Sequence, residues 1–274
     1  MNMNKTSFND IGFLSSEYLT NPALQQISSS DCYKICENLN RAAQTVLNHI
    51  VIHPDDRKEV YAMLYFQRML SHYQAALILA RRGMVHQVEI ILRSLLETLF
   101  DLAAFHHHHE FFDVLILGDS NERLAFLKAL REQQETLDTY SDEEIEELEK
   151  IIASSEDVDR HDFKVFIKAD LAGMLNEYRT LYALLSESTH STVHSLEADL
   201  IINPTTDAIE GIKAYDIKTD GIHSLLMSTA NYMLIGLNMI LQIVPSIKDK
   251  ADIEILNNKI QDEWLNVVAA VSHR

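Results

Sequence analysis

Residues 88–105 read VEIILRSLLETLFDLAAF, an apolar run interrupted by Glu89, Arg93, Glu97 and Asp101 at every fourth position. Helical residues four apart stack on one face. The four charges therefore form one inclined stripe on a helix whose other faces are apolar. Residues 177–195, EYRTLYALLSESTHSTVHS, repeat the device with Tyr178, Tyr182, Ser186, His190 and His194. A charge withdrawn from water must be paired or it is prohibitively costly. The simplest arrangement sets the two stripes face to face inside a bundle.

Outward from these segments, the punctuation is that of an all-α chain. Only 7 glycines and 4 prolines occur in 274 residues, and they fall where helices should begin or end. The pattern predicts a helix near Phe8–Leu19, stopped by Asn21-Pro22, and a second from a Ser30 or Asp31 cap to Ile52. A third starts after Pro54 with Asp55-Asp56 in its first turn, carries Tyr61, Leu64, Tyr65, Met69, Tyr73 and Leu77 on its apolar side, and ends at Gly83 as a left-handed C-cap. The first polar stripe lies on a long helix from Val85 to Leu117, ended by Gly118, with the next helix capped within Asp119–Asn121 and running from Glu122 to Asp138. Ser141 to Glu144 form a capping box opening an acidic helix to Ser154. The second stripe lies on a helix from Asp162 to His190.

Between Leu200 and Asp220 short β-branched and aromatic runs around Asn203-Pro204 and Gly211 point to a hairpin or a structured loop. Ile222–Val244 carries no Lys, Arg, Asp or Glu and is long enough to span a bilayer. Its Ser224, Ser228, Asn231, Asn238 and Gln242 recur at helical spacing, which fits a core helix with one uncharged polar seam better. A last amphipathic helix runs from Lys248 to Val271 and contains Trp264. The expected fold is a bundle of long antiparallel helices with a small irregular or β-hairpin insertion near 200–220. It is expected to be one domain over 1–274, with N-terminal helices to residue 55, a core over 56–196, the insertion over 197–220 and C-terminal helices beyond.

The charge balance is 23 basic against 41 acidic residues, a net of −18, and Arg81-Arg82 is the nearest approach to a basic run. Such a field disfavours non-specific binding to nucleic acid or anionic membrane, while leaving room for a small local RNA site. Cys32 and Cys36, four apart, match neither a redox C-x-x-C nor half of a zinc knuckle and read as reduced thiols on one helix face. The N-terminal MNMNKTSFND lacks the features of a secretory leader. Both points lead us to expect a cytoplasmic protein.

Three groups of residues carry candidate chemistry. In the facing stripes, Arg93 would hold a phosphate or carboxylate, Glu97 would orient Arg93 or His190, and Tyr182 would donate a hydrogen bond. His190 would move protons, an imidazole's ordinary proton affinity being near neutrality. Ser186, one turn from His190, is a nucleophile only in principle, because no oxyanion loop surrounds it. The competing reading is a buried network that fixes helix register without chemistry. The run His106-His107-His108-His109 with Glu110 and Asp113 has metal-ligand spacing on a helix, but adjacent histidines diverge, so no designed metal site and no cofactor is expected. Arg81 and His86 match the loose Arg-x4-6-His spacing of HEPN helical ribonucleases, with Gly83 falling inside the motif.

The segments Arg93-Ser94-Leu95-Leu96-Glu97 and Tyr182 through Ser186 to His190, with Gly83 before the first helix, together resemble a large bacterial family of helical domains of unknown function. The resemblance covers about Val60–Leu196. That family is similar in architecture to HEPN-type bundles, many of which are toxins or antiphage effectors. The resemblance implies, by analogy, a metal-independent ribonuclease or nucleotide-binding effector of a bacterial stress or phage-defence system, acting at the Arg93, Glu97, Tyr182, Ser186 and His190 pocket. The alternative is a non-catalytic scaffold or sensor whose acidic surface binds a protein partner. A homodimer formed through an apolar helical face is expected in either case.

Overall fold

Thirteen helices and one hairpin are placed by a computed structural model that describes residues 7–16, 20–51, 53, 55–108, 111–133, 142–153, 164–190, 193–197, 200–212, 219, 221–244 and 250–272. In chain order they are α1 (Phe8–Ile11), α2 (Pro22–Ser29), α3 (Asp31–His49), α4 (Arg57–Arg81), α5 (Val85–His107), α6 (Phe111–Gln133), α7 (Asp142–Ala153) and α8 (Val165–Leu171). After these come α9 (Leu175–Glu177), a π-helical turn (Tyr178–Tyr182), α10 (Ala183–Thr189), α11 (Val193–Glu197), β1 (Leu200–Ile202), β2 (Ile209–Ile212), α12 (Ile222–Ile243) and α13 (Lys250–Ser272). The all-α class with a small hairpin insertion is as the sequence predicts.

Helix starts follow side-chain capping. Asn21 accepts a hydrogen bond from the Ala23 amide, Ser30 from that of Tyr33, and Asp56 from those of Lys58 and Glu59. Asn21-Pro22 therefore opens α2 rather than merely ending what precedes it, and the predicted helix from Phe8 is reduced to one turn and a 3₁₀ segment at Gly12–Leu14. Two helix ends use the same device. Gly83 and Gly173 adopt left-handed φ of 64° and 69°, with Met84 N–H donating to Leu79 and Met174 N–H to Ala169. Gly83 ends α4 as expected. Gly173 breaks the helix predicted from Asp162 to His190, separating α8 from α9. The helix predicted to run from Val85 to Leu117 stops at His107, because His108 is extended at φ −128°, ψ 96°, and Gly118 is an interior residue of α6.

The core centres on α5. Val88, Leu92, Leu95, Leu96, Leu99, Phe100, Leu102, Ala103, Ala104 and Phe105 are all buried, against α4, α12, α8 and α10. The buried apolar residues of α4 are Met63, Phe66, Met69, Leu70, Tyr73, Ala76, Leu77 and Ala80; Leu64, predicted on the apolar side, is exposed. The α12 helix is long and apolar enough to cross a membrane, and it packs on α4, α5 and α3. Gly236 of α12 lies against Met69 of α4: a Cβ there would come 2.5 Å from Met69 Cε, and that flexible side-chain end would have to shift. The predicted polar seam of α12 is used at Asn238, whose side-chain oxygen accepts from Asn257 and Gln261 of α13. Cys32 and Cys36 are buried free thiols.

Two elements stand outside this core. Helices α6 and α7 meet through a small separate cluster of Leu124, Leu127, Ile145 and Leu148. Strands β1 and β2 pair antiparallel, Leu200 opposite Ile212, with a bulge after Ile201.

A fully buried side chain beside the polar stripe should dominate stability. Leu96→Ala is expected to cost about 2–5 kcal/mol, read as a lower denaturation midpoint at unchanged slope. Leu184→Ala, at a position 63% exposed, should stay within about 0.5 kcal/mol of the parent.

Candidate functional site

The two stripes meet at one residue of the second, Tyr182, where the π turn and α10 run against α5. Tyr182, 6% exposed, donates its phenol hydrogen to Glu97 Oε1 at 2.7 Å and accepts from Arg93 Nη2 at 2.8 Å. Arg93 Nη2 also lies 3.2 Å from Glu97 Oε1, closing a three-membered polar cluster. The guanidinium carbon stands 4.9 Å from the Tyr182 ring centroid, so cation and π face attract as well. Tyr178 stacks on Tyr182 at 5.1 Å between centroids, and Phe100 and Phe166 complete an aromatic wall against these rings.

The ends of the α5 stripe are paired by other residues. Glu89 accepts from the Ser188 hydroxyl at 2.7 Å and lies 3.5 Å from His86 Nδ1. Asp101 lies 2.8 Å from Lys168 Nζ of α8.

From Tyr178 to Tyr182 the backbone takes the wider π spacing, with Ala183 N–H donating to Tyr178 O. After Tyr182 ordinary α spacing resumes, with His190 N–H donating to Ser186 O. Ser188, not Ser186 or His190, reaches α5. Ser186 turns its hydroxyl back to the Tyr182 carbonyl at 2.8 Å, which engages the group proposed in principle as a nucleophile. His190 is exposed at the C-cap of α10, and among the described residues no hydrogen bond or ion pair joins it to Arg93, Glu97 or Tyr182. The side chain of His194 lies outside the described residues.

Electrostatics follow from the enclosure. Burial pushes the Tyr182 phenol up to about 12; the Glu97 carboxylate, as hydrogen-bond acceptor and negative charge, pushes the same way, and Arg93 opposes both. The hydroxyl is thus held protonated and donating. Arg93 Nε is buried with no hydrogen-bond partner among the described residues. The guanidinium therefore has donor capacity that this cluster does not use.

Sequence reasoning missed two residues of α4. His72, half-buried, feels the charges of Glu97 and Arg68. Burial holds its imidazole below the ordinary value, Arg68 pushes in the same direction, and Glu97 opposes. The signal was present as Arg68 and His72 at four-residue spacing in YFQRMLSHY.

The other candidates separate. Arg81, the last residue of α4, points at the Tyr33 ring, while His86 pairs with Glu89 beyond the turn, so the Arg-x4-His pair shares no site. Of the histidine run, His106 and His107 end α5 and His108 is its extended cap; His109 and Glu110 lie outside the described residues. Among the described residues no group of three His, Cys, Asp or Glu is placed to hold a metal ion.

The profile of a family of unknown function (DUF5677) matches residues 59–208, more than half of the chain and the whole of this site. No curated protein and no solved structure matches the chain.

A phenol whose proton affinity is raised on folding contributes stability that is complete below its unfolded value near 10 and disappears as pH rises through about 12. Tyr182→Phe should therefore remove one late-ionising phenol from the ultraviolet titration and flatten the fall in stability over that interval. Unchanged titration in the variant would mean Tyr182 is not so enclosed.

Proposed function

Since the chain belongs to the family of unknown function DUF5677, its activity has to be argued from the site, and we propose that it is a HEPN-like helical effector of a bacterial stress or phage-defence system that binds RNA or a nucleotide at the Arg93–Tyr182–Glu97 cluster. The observation that carries this reading is the state of Arg93. Its guanidinium is oriented by Glu97 and by the Tyr182 hydroxyl and ring, while the side chain stays 21% exposed. An oriented guanidinium that solvent still reaches is what a phosphate oxygen requires. The Tyr178–Tyr182 pair adds an aromatic surface beside it, and a base has a π face to match.

In this reading Arg93 holds a phosphate, Glu97 orients Arg93, and Tyr182 fixes both. Cleavage would be metal-independent general acid–base chemistry and would need an imidazole in reach of the bound phosphate. His190 stands apart from the cluster in the chain as described, so that role is not given to it. Homodimerisation and a cytoplasmic location belong to the same proposal.

A second reading is favoured by one observation: the Tyr182 hydroxyl already joins both charges of the cluster, as it would if the network served only to lock α10 onto α5. A chain of net charge −18 would then be a scaffold or sensor for a basic protein partner.

The readings separate on Arg93→Lys, which keeps the charge and loses the fork. If the site binds phosphate, a labelled single-stranded RNA or nucleotide should bind the variant about tenfold more weakly, growth arrest on overexpression should be relieved, and the melting temperature should move little. A parent that binds neither probe and arrests no growth, with Arg93→Ala and Tyr182→Phe both strongly destabilised, establishes the scaffold reading.

A further inference from the structure

Given the phosphate-binding reading of Arg93, on which this rests, we propose that the ligand is single-stranded RNA rather than a lone nucleotide. Phe166 of α8 stacks one unpaired base of that strand, while Arg93 holds the phosphate of a neighbouring nucleotide.

An unbroken run of ring contacts joins the two residues. The Arg93 guanidinium carbon stands 4.9 Å from the Tyr182 ring centroid. Tyr182 stacks on Tyr178 at 5.1 Å, with the ring planes 19° apart. Tyr178 in turn meets Phe166 in a T-shaped contact, 5.7 Å between centroids and 68° between planes. The run begins at the core, where Tyr182 is 6% exposed, and ends at Phe166, 42% exposed. A ligand that touches both ends must reach past two tyrosine rings. Phosphates and bases alternate along a nucleic-acid strand, and here a cation and an aromatic surface follow one another in the same way.

Helix packing does not account for Phe166. Val165 and Ala169 of the same helix pack on the core, and Lys168 lies 2.8 Å from Asp101 of α5. Those contacts seat α8 on α5 without the Phe166 ring. A T-shaped contact covers at most one face of that ring, and the other is left for a ligand. Every base has a π face to match. Only an unpaired base offers it, because in a duplex both faces are stacked on neighbouring pairs.

Local charge suits the backbone of such a strand. From Lys164 to Tyr182 there are three basic residues (Lys164, Lys168 and Arg179) against two acidic ones (Asp170 and Glu177), in a chain of net charge −18. Lys164 lies two residues before Phe166 and Arg179 directly after Tyr178, and both are exposed. Cations therefore meet a backbone laid across these rings. The acidic remainder of the chain repels a polyanion, which confines the strand to this strip.

A labelled adenine oligoribonucleotide is the probe, with adenosine 5′-monophosphate as its short counterpart, both at one fixed, moderate salt concentration. On the full chain, Phe166→Ala should weaken the oligonucleotide about tenfold, leave the monophosphate unaffected and move the melting temperature little. Phe166→Trp should bind as the parent does, and its added indole fluorescence should be quenched by the oligonucleotide; Trp264 is the only native tryptophan. A blunt RNA duplex of the same length should bind more weakly than the single strand. An oligonucleotide that requires Arg93 but binds Phe166→Ala as tightly as the parent overturns this inference and leaves the phosphate-binding reading standing. So does a duplex that binds as tightly as the strand, or a monophosphate weakened by Phe166→Ala as much as the oligonucleotide. An oligonucleotide that fails to bind the parent, or binds Arg93→Lys equally, overturns both.

Discussion

Helix α5 is buried on nearly every side and still carries Glu89, Arg93, Glu97 and Asp101 in one line, and the rest of the chain is arranged around that conflict. The apolar residues draw α4, α12, α8 and α10 onto α5, while each charge demands a partner at the place where water is removed. The partners are spread over 21 residues of later sequence: Lys168 on α8 for Asp101, Tyr182 in the π turn for Arg93 and Glu97, Ser188 on α10 for Glu89. Electrostatic pairing thus fixes the height and rotation of α8 and α10 against α5. Hydrophobic burial alone, being non-directional, would leave both free to slide.

That same conflict explains what the sequence could disclose. Charges in an apolar helix are conspicuous, so the stripe on α5, the stripe opposite and their meeting at Tyr182 were all legible from four-residue spacing. What spacing could not disclose was the π turn. Tyr178–Tyr182 are compatible with an α-helix, and no residue in that stretch signals the wider turn. Beyond it α-helical spacing resumes, and it is Ser188 that pairs with Glu89, while Ser186 bonds its own helix and His190 faces solvent. The α4 residues were missed for a different reason. Arg68 and His72 lie at the margin of a helix read for its apolar face, and only the folded chain brings the charge of Glu97 to bear on His72.

Punctuation was read unevenly on similar grounds. Gly83 follows Arg81-Arg82 at the end of a clear apolar period, and the helix ends there. Gly173 adopts the same left-handed cap, but apolar residues on both sides of it imitate an unbroken helix. At His108 no glycine or proline marks the break, and the extended backbone there has no local signature.

The composition of the cluster also bears on whether it exists for stability. Arg followed four residues later by Glu is the weaker order for a helical ion pair, and a buried ionic group is commonly no more stabilising than well-packed apolar residues of like volume. At positions flanked by Leu92, Leu95, Leu96 and Leu99, all fully buried, aliphatic side chains would fit the surroundings without desolvating any charge. Specific helix docking needs one polar contact; it does not need a guanidinium set over a tyrosine ring and held by a carboxylate as well. On the proposed reading, that orientation serves a ligand with several oxygens.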